Sequence, residues 1–138
     1  MRIALWRELR GWELQLLHHK LYLENPARGI ESFEVSHGEN LITFARVWRR
    51  SLDWRIGAGP VVTHVEGRAR GEDIGSGYHL SGGALIAGAG RRFRLSRTFF
   101  AELQGDVTLS YADIPIRNGR ARVPNAAVHA LVGLGITR

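Results

Sequence analysis

The chain has 138 residues, the size of one domain, so a two-domain organisation is excluded. With 44% hydrophobic and 23% charged residues it is too apolar for intrinsic disorder, and no run approaches the roughly 20 apolar residues of a membrane-spanning helix. Nineteen Lys and Arg against 13 Asp and Glu give a net charge of +6, a balance that suits nucleic acid or an anionic lipid surface; the absence of Cys excludes disulfides, thiolate catalysis and Cys-based zinc sites.

The N-terminal residues carry neither an apolar h-region nor a small-residue cleavage site. The chain is therefore expected to be unexported, mature or trimmed. Residues 3–9 read as a short strand. Residues 12–23 set Trp12, Leu14 and Leu16 against Glu13, Gln15 and Leu17, the period of two that marks a strand. A turn-rich stretch at 24–29 follows. Residues 40–49 then set Ile42, Phe44 and Trp48 against Leu41, Thr43, Ala45 and Val47. Residues 54–67 place Trp54, Ile56, Ala58, Pro60 and Val62 on one face and Arg55, Gly57, Gly59, Val61 and Thr63 on the other, although Pro60 is awkward in a central strand.

A polar loop is read at 71–77. Residues 78–91 are rich in Gly and Ala and apolar on both faces, so their sidedness is not readable. Residues 99–113 alternate almost without fault. Phe99, Ala101, Leu103, Gly105, Val107, Leu109 and Tyr111 oppose Phe100, Glu102, Gln104, Asp106, Thr108, Ser110 and Ala112. Ordinary globular strands run about 5–6 residues, so the length is itself informative. After a loop at 115–120, residues 128–137 form the last strand. About seven strands with no convincing helix, joined as a meander, point to an antiparallel up-and-down sheet that closes into a barrel.

In a soluble barrel the apolar face points inward; in a transmembrane barrel the same alternation is reversed. Three features favour the membrane. The strands reach the roughly 9–11 tilted residues that cross a bilayer. Aromatic residues sit toward strand ends, at Trp12, Tyr22, Trp48, Trp54, Tyr78, Phe93, Phe99 and Tyr111, where interfacial girdles belong. The polar face mixes charges of both signs, and Glu13, Arg55, Glu102, Gln104 and Asp106 read as a polar network that fills the lumen.

The stretch Gly11-Trp12-Glu13-Leu14-Gln15-Leu16-Leu17-His18-His19-Lys20-Leu21-Tyr22 resembles a segment of small bacterial outer-membrane β-barrel proteins, including lipid A oxidase-like ones, in its order of His, any residue, Lys, apolar residue and Tyr. Phe33-Glu34-Val35-Ser36-His37-Gly38-Glu39-Asn40-Leu41-Ile42-Thr43 is similar to their next segment, and Val128-His129-Ala130-Leu131-Val132-Gly133-Leu134-Gly135 to their closing strand. The resemblance implies an eight-stranded, monomeric barrel of the bacterial outer membrane. Its partners would be membrane lipid and lipopolysaccharide rather than nucleic acid. The chain departs from that pattern in lacking a signal sequence and a terminal aromatic residue. A single barrel domain over 1–138, truncated at its N-terminus so that the first strand is missing, is therefore expected, or else an unusual pairing of residues 3–9.

Candidate chemistry is sparse. Adjacent residues of a strand project to opposite faces, so His18 and His19 cannot line one site. His19 shares the parity of Glu13, and with His37 and Glu39 it makes a candidate catalytic or metal-binding group at one barrel mouth; the alternative is a set of rim residues meeting headgroups or water. Glu102 and Asp106 lie about 13 Å apart along one strand, too far to act together on one bond, and ion pairing with Arg55 is the better account. Ser110 has an acid nearby but no fixed His. Gly57-Ala58-Gly59 and Gly88-Ala89-Gly90 do not sit between a strand and a helix as a nucleotide loop would; they are expected to make room for lumen side chains. The sequence does not identify a cofactor or a metal. The functional readings are a structural or surface-interaction barrel, a lipid A-modifying enzyme using His19, His37 and Glu39, and a soluble barrel that binds a small ligand in an apolar interior.

Overall fold

The computed structural model describes residues 1–22, 30–69, 72–116 and 119–137; side chains are described outside 19–38, 65–76 and 115–119. Seven strands run in chain order: β1 (Arg2–Arg7), β2 (Arg10–Tyr22), β3 (Ile30–Arg49), β4 (Asp53–Ala69), β5 (Glu72–Arg94), β6 (Phe99–Ile116) and β7 (Gly119–Ile136). They form one sheet in the order β1-β2-β3-β4-β5-β6-β7, every neighbouring pair antiparallel. No helix occurs among the described residues.

The strands extend beyond the alternating segments. β3 starts at Ile30 rather than at 40, and β5 begins at Glu72, within what the sequence presents as a polar loop. β6 and β7 meet across 117–118, which shortens the expected 115–120 loop, and β7 starts at Gly119 rather than at 128. A hydrogen-bonded ladder uses backbone groups, so it continues through Glu66, Asp73 and Ser76 after the apolar pattern has stopped.

Three turns gather at one end of the sheet. Arg7 pairs with Arg10 across Glu8 and Leu9, and Glu8 takes a left-handed φ of 55°. Residues 50–52 join β3 to β4. At 95–98 the Ser96 hydroxyl accepts hydrogen bonds from the amides of Thr98 and Phe99, at 3.2 and 3.0 Å. The sequence difficulty at Pro60 is met in the β3–β4 ladder. Pairing skips from Leu41–Val61 to Phe44–Ala58, so no ladder donor is asked of Pro60.

The sheet curls until side chains of non-adjacent strands meet. Gln15 of β2 donates to Asp106 of β6 at 3.3 Å, and Asn125 of β7 donates to Glu39 of β3 at 3.3 Å. The edges β1 and β7 are not hydrogen-bonded to each other, so the sheet stays open. A cleft of about 290 Å³ separates them, with Met1, Arg2 and Leu16 on one bank and Val132 and Leu134 on the other.

Inside the curl lie two layers. Toward the short turns the buried residues are Glu13, Gln15, Asp53, Arg55, Glu102, Gln104 and Asp106; beyond them Leu17, Leu41, Val61, Ala84, Ala112 and Ile114 form an apolar cluster. The outer face is apolar from β1 to β7, with Leu5, Leu14, Phe44, Ile56, Leu85, Leu103, Val107 and Val132 all exposed.

The sidedness of 78–91 resolves at a β-bulge. Val61 pairs with Gly82 but Val62 pairs with Leu80, so Ser81 is the extra residue. It turns inward, 6% exposed, and its hydroxyl meets that of Thr63 at 2.6 Å. A bulge inverts the alternation: Tyr78 and Leu80 face outward before it, Leu85 faces outward after it, and Ala84 and Ile86 face in.

Candidate functional site

The charged layer is organised around Arg55. β4 aims its guanidinium into the curl, 3.3 Å from Glu13 of β2, 3.5 Å from Glu102 and 3.9 Å from Asp106 of β6. The three acids were grouped with Arg55 in the sequence by strand parity, and Gln104 completes that group by donating to Asp106.

Four further charges join them. Arg2 of β1 contacts Glu13 at 3.4 Å and also pairs with Glu102. Arg92 of β5 reaches Asp53 at 3.3 Å and Glu102 at 3.6 Å, and Arg49 holds Asp53 at 2.8 Å. Arg2, Arg49, Arg55 and Arg92 thus face Glu13, Asp53, Glu102 and Asp106, four charges of each sign. Trp6 lies beneath two of the cations, its ring 4.4 Å from the Arg49 guanidinium and 5.3 Å from that of Arg92.

Buried charges persist only when paired, and this layer is neutral as a whole. Its chemistry is that of a filling. Glu102 and Asp106 share arginines with other acids instead of flanking an open space between them. Arg92 escaped the sequence reading because the Ser81 bulge hides the parity of β5. Arg2 escaped it because six residues of β1 offer too few alternations to assign a face; parity with Trp6, on the same inner side, was the available signal.

The ladder brings His19 opposite Glu39 and Glu39 opposite Thr63. Glu39 is fully buried and accepts from Asn125. The side chains of His19 and His37 lie outside the described residues, as does that of Tyr22. His18 is exposed, and its Nδ1 lies 2.9 Å from Asn40 Oδ1. Among the described residues no group of three or more His, Asp or Glu is arranged to hold a metal. On β7, His129 stands opposite Asp106, its Nε2 3.0 Å from the Thr108 hydroxyl.

No protein-family model, curated protein or solved structure matches this chain.

Proposed function

We propose that the protein is a small β-barrel of the bacterial outer membrane, with a structural or surface-interaction role and an interior filled by side chains. One observation carries this reading: the alternation is turned inside out. Arg55 is 3% exposed and Asp106 1%, whereas Leu103 is 55% exposed and Val132 84%. Burying Arg55 with Glu13, Asp53, Glu102 and Asp106 while offering water a continuous apolar face is unfavourable for a soluble protein, and it is the distribution a lipid solvent favours. A soluble barrel that holds its ligand in an apolar interior needs the reverse.

The height of the apolar face supports the same reading. Phe99 and Tyr111 both face outward on β6, twelve residues apart. At about 3.3 Å per residue and a tilt near 40° they bracket roughly 30 Å, the thickness of a hydrocarbon core. Trp12, Trp54 and Phe93 are exposed near the short-turn end, Tyr78 toward the other.

With seven antiparallel strands, β1 and β7 run in the same direction, so closure calls for one further strand antiparallel to both, which gives the eight-stranded form. An open edge in lipid leaves backbone groups unsatisfied. Among the described residues the interior holds a layer of charge and a cluster with Leu17, Leu41, Val61 and Ile114, which supports a lumen filled by side chains, as eight strands would enclose. The resemblance to small outer-membrane barrels agrees with this reading. The lipid A-modifying alternative would place its chemistry at His19, His37 and Glu39, and the burial of Glu39 together with its bond to Asn125 favours a packing role there.

The chain has no Cys, so a spin label at Leu103→Cys is unique. After refolding into phosphatidylcholine vesicles, the label is expected to be accessible to oxygen and shielded from a water-soluble nickel chelate. Accessibility to the chelate in place of oxygen overturns the membrane reading.

A further inference from the structure

On the outer face at the short-turn end, the β2–β3 ladder sets Arg10 opposite Trp48 and Trp12 opposite Arg46. The Arg46 guanidinium lies 4.8 Å from the Trp12 ring, and Trp12 stacks on Phe44 with centroids 4.8 Å apart and planes 6° from parallel. A pocket of about 400 Å³ opens here, lined by Leu9, Arg10, Arg46, Trp48, Arg49 and Arg50.

The pocket lining contains four arginines and no acid. Arg49 is held by Asp53. Among the described residues no carboxylate forms an ion pair with Arg10, Arg46 or Arg50; the nearest other acid in sequence is Glu8, in the turn before Arg10. Below the arginines the same two strands continue with Leu14 opposite Phe44 and Leu16 opposite Ile42, all exposed. Two rows that each pair an arginine with an indole give way to apolar surface down the strands.

We propose that this pocket binds the phosphate of an anionic glycerophospholipid, whose acyl chains lie along Leu14, Leu16, Ile42 and Phe44. The assignment rests on the membrane-barrel reading above. Guanidinium groups bind phosphate oxygens through paired N–H donors, and Trp prefers the headgroup level. The apolar continuation selects a lipid over free phosphate, because a soluble anion makes no use of it. Three uncompensated cations select an anionic lipid over a zwitterionic one, whose phosphate already carries its own ammonium. Short turns mark the periplasmic end of outer-membrane barrels, which puts the pocket at the leaflet away from lipopolysaccharide.

The test uses the full chain refolded into phosphatidylcholine vesicles holding a minor fraction of acyl-brominated phosphatidylglycerol or, in parallel, acyl-brominated phosphatidylcholine, with quenching of Trp fluorescence as the readout. About a tenfold preference for phosphatidylglycerol is expected. It should vanish in the Arg10→Gln/Arg46→Gln/Arg50→Gln variant and survive in Arg91→Gln/Arg94→Gln/Arg97→Gln, which removes the same charge elsewhere at that end. Arg50→Glu alone, in the exposed turn, should weaken the preference even if the triple variant does not fold. Equal preference in wild type and pocket variants, or equal loss in both triple variants, overturns the site. Abolition by millimolar inorganic phosphate in vesicles overturns the lipid assignment in favour of free phosphate. Absence of quenching by either brominated lipid overturns the membrane reading itself, and the site with it.

Discussion

Gly88 stands directly opposite Asp106 in the β5–β6 ladder, and a Cβ on Gly88 would fall on the Asp106 carboxylate and 2.6 Å from the Gly105 carbonyl oxygen. The glycine is therefore part of the charged layer, since it vacates the volume into which Asp106 reaches toward Arg55. Gly57 does the same on β4, where a Cβ would lie 2.6 Å from that of Ala45. Curling a sheet tightly enough to bring β2, β4 and β6 together requires positions without side chains on the inner face.

Gly88→Ala is expected to destabilise by about 1–3 kcal/mol, the usual range for overpacking, measured as a shift of the urea midpoint in detergent micelles. In an Asp106→Ala background the increment should shrink, because the carboxylate that obstructs the methyl is gone. An unchanged increment would place the obstruction at the Gly105 carbonyl instead.

Arg55→Met leaves Glu13 buried with one cation fewer, and breaking one side of a buried pair typically destabilises by about 3–5 kcal/mol. The loss should be smaller when Glu13→Gln or Glu102→Gln is already present. A double-mutant cycle that is strictly additive with Glu13, Glu102 and Asp106 alike would show that the contacts at 3.3–3.9 Å carry no coupling.

Leu103→Arg and Val107→Arg place a charge on the outer face midway between Phe99 and Tyr111. If lipid covers that face, each should destabilise the bilayer-inserted protein by roughly 2–4 kcal/mol. The same substitutions in a water-facing strand would be nearly silent, so the size of the effect reports the solvent.

Deleting Ser81 removes the extra residue of the bulge: Leu80 stays opposite Val62 and Gly82 opposite Val61, so the ladder becomes regular and both parts of β5 keep their faces, while the Thr63 hydroxyl loses the Ser81 hydroxyl. A spin label at Tyr78→Cys is expected to keep its outward accessibility in the deletion variant. Inward burial of that label would mean that the register slips by one residue, which exchanges the two faces.

Alternation along the chain sufficed to place strands, to assign faces for β2, β3, β4 and β6, and to group Glu13, Arg55, Glu102, Gln104 and Asp106 on one side. A period of two is a local property, written in each strand separately. What the sequence left open is what depends on pairing between strands. The Ser81 bulge cancels the period of β5, so Arg92 could not be given a face. The extra length of β3, β5 and β7 comes from backbone hydrogen bonds that polar residues make as well as apolar ones. The curl of the sheet decides that Arg2, at one edge, meets Glu102 of β6, a hundred residues later in the chain. The pocket of Arg10, Arg46 and Arg50 likewise exists only because the β2–β3 register sets Arg10 beside Trp48 and Arg46 beside Trp12. Composition and period determine which side chains share a face, whereas register and curvature, set by glycines and bulges, decide which of them touch.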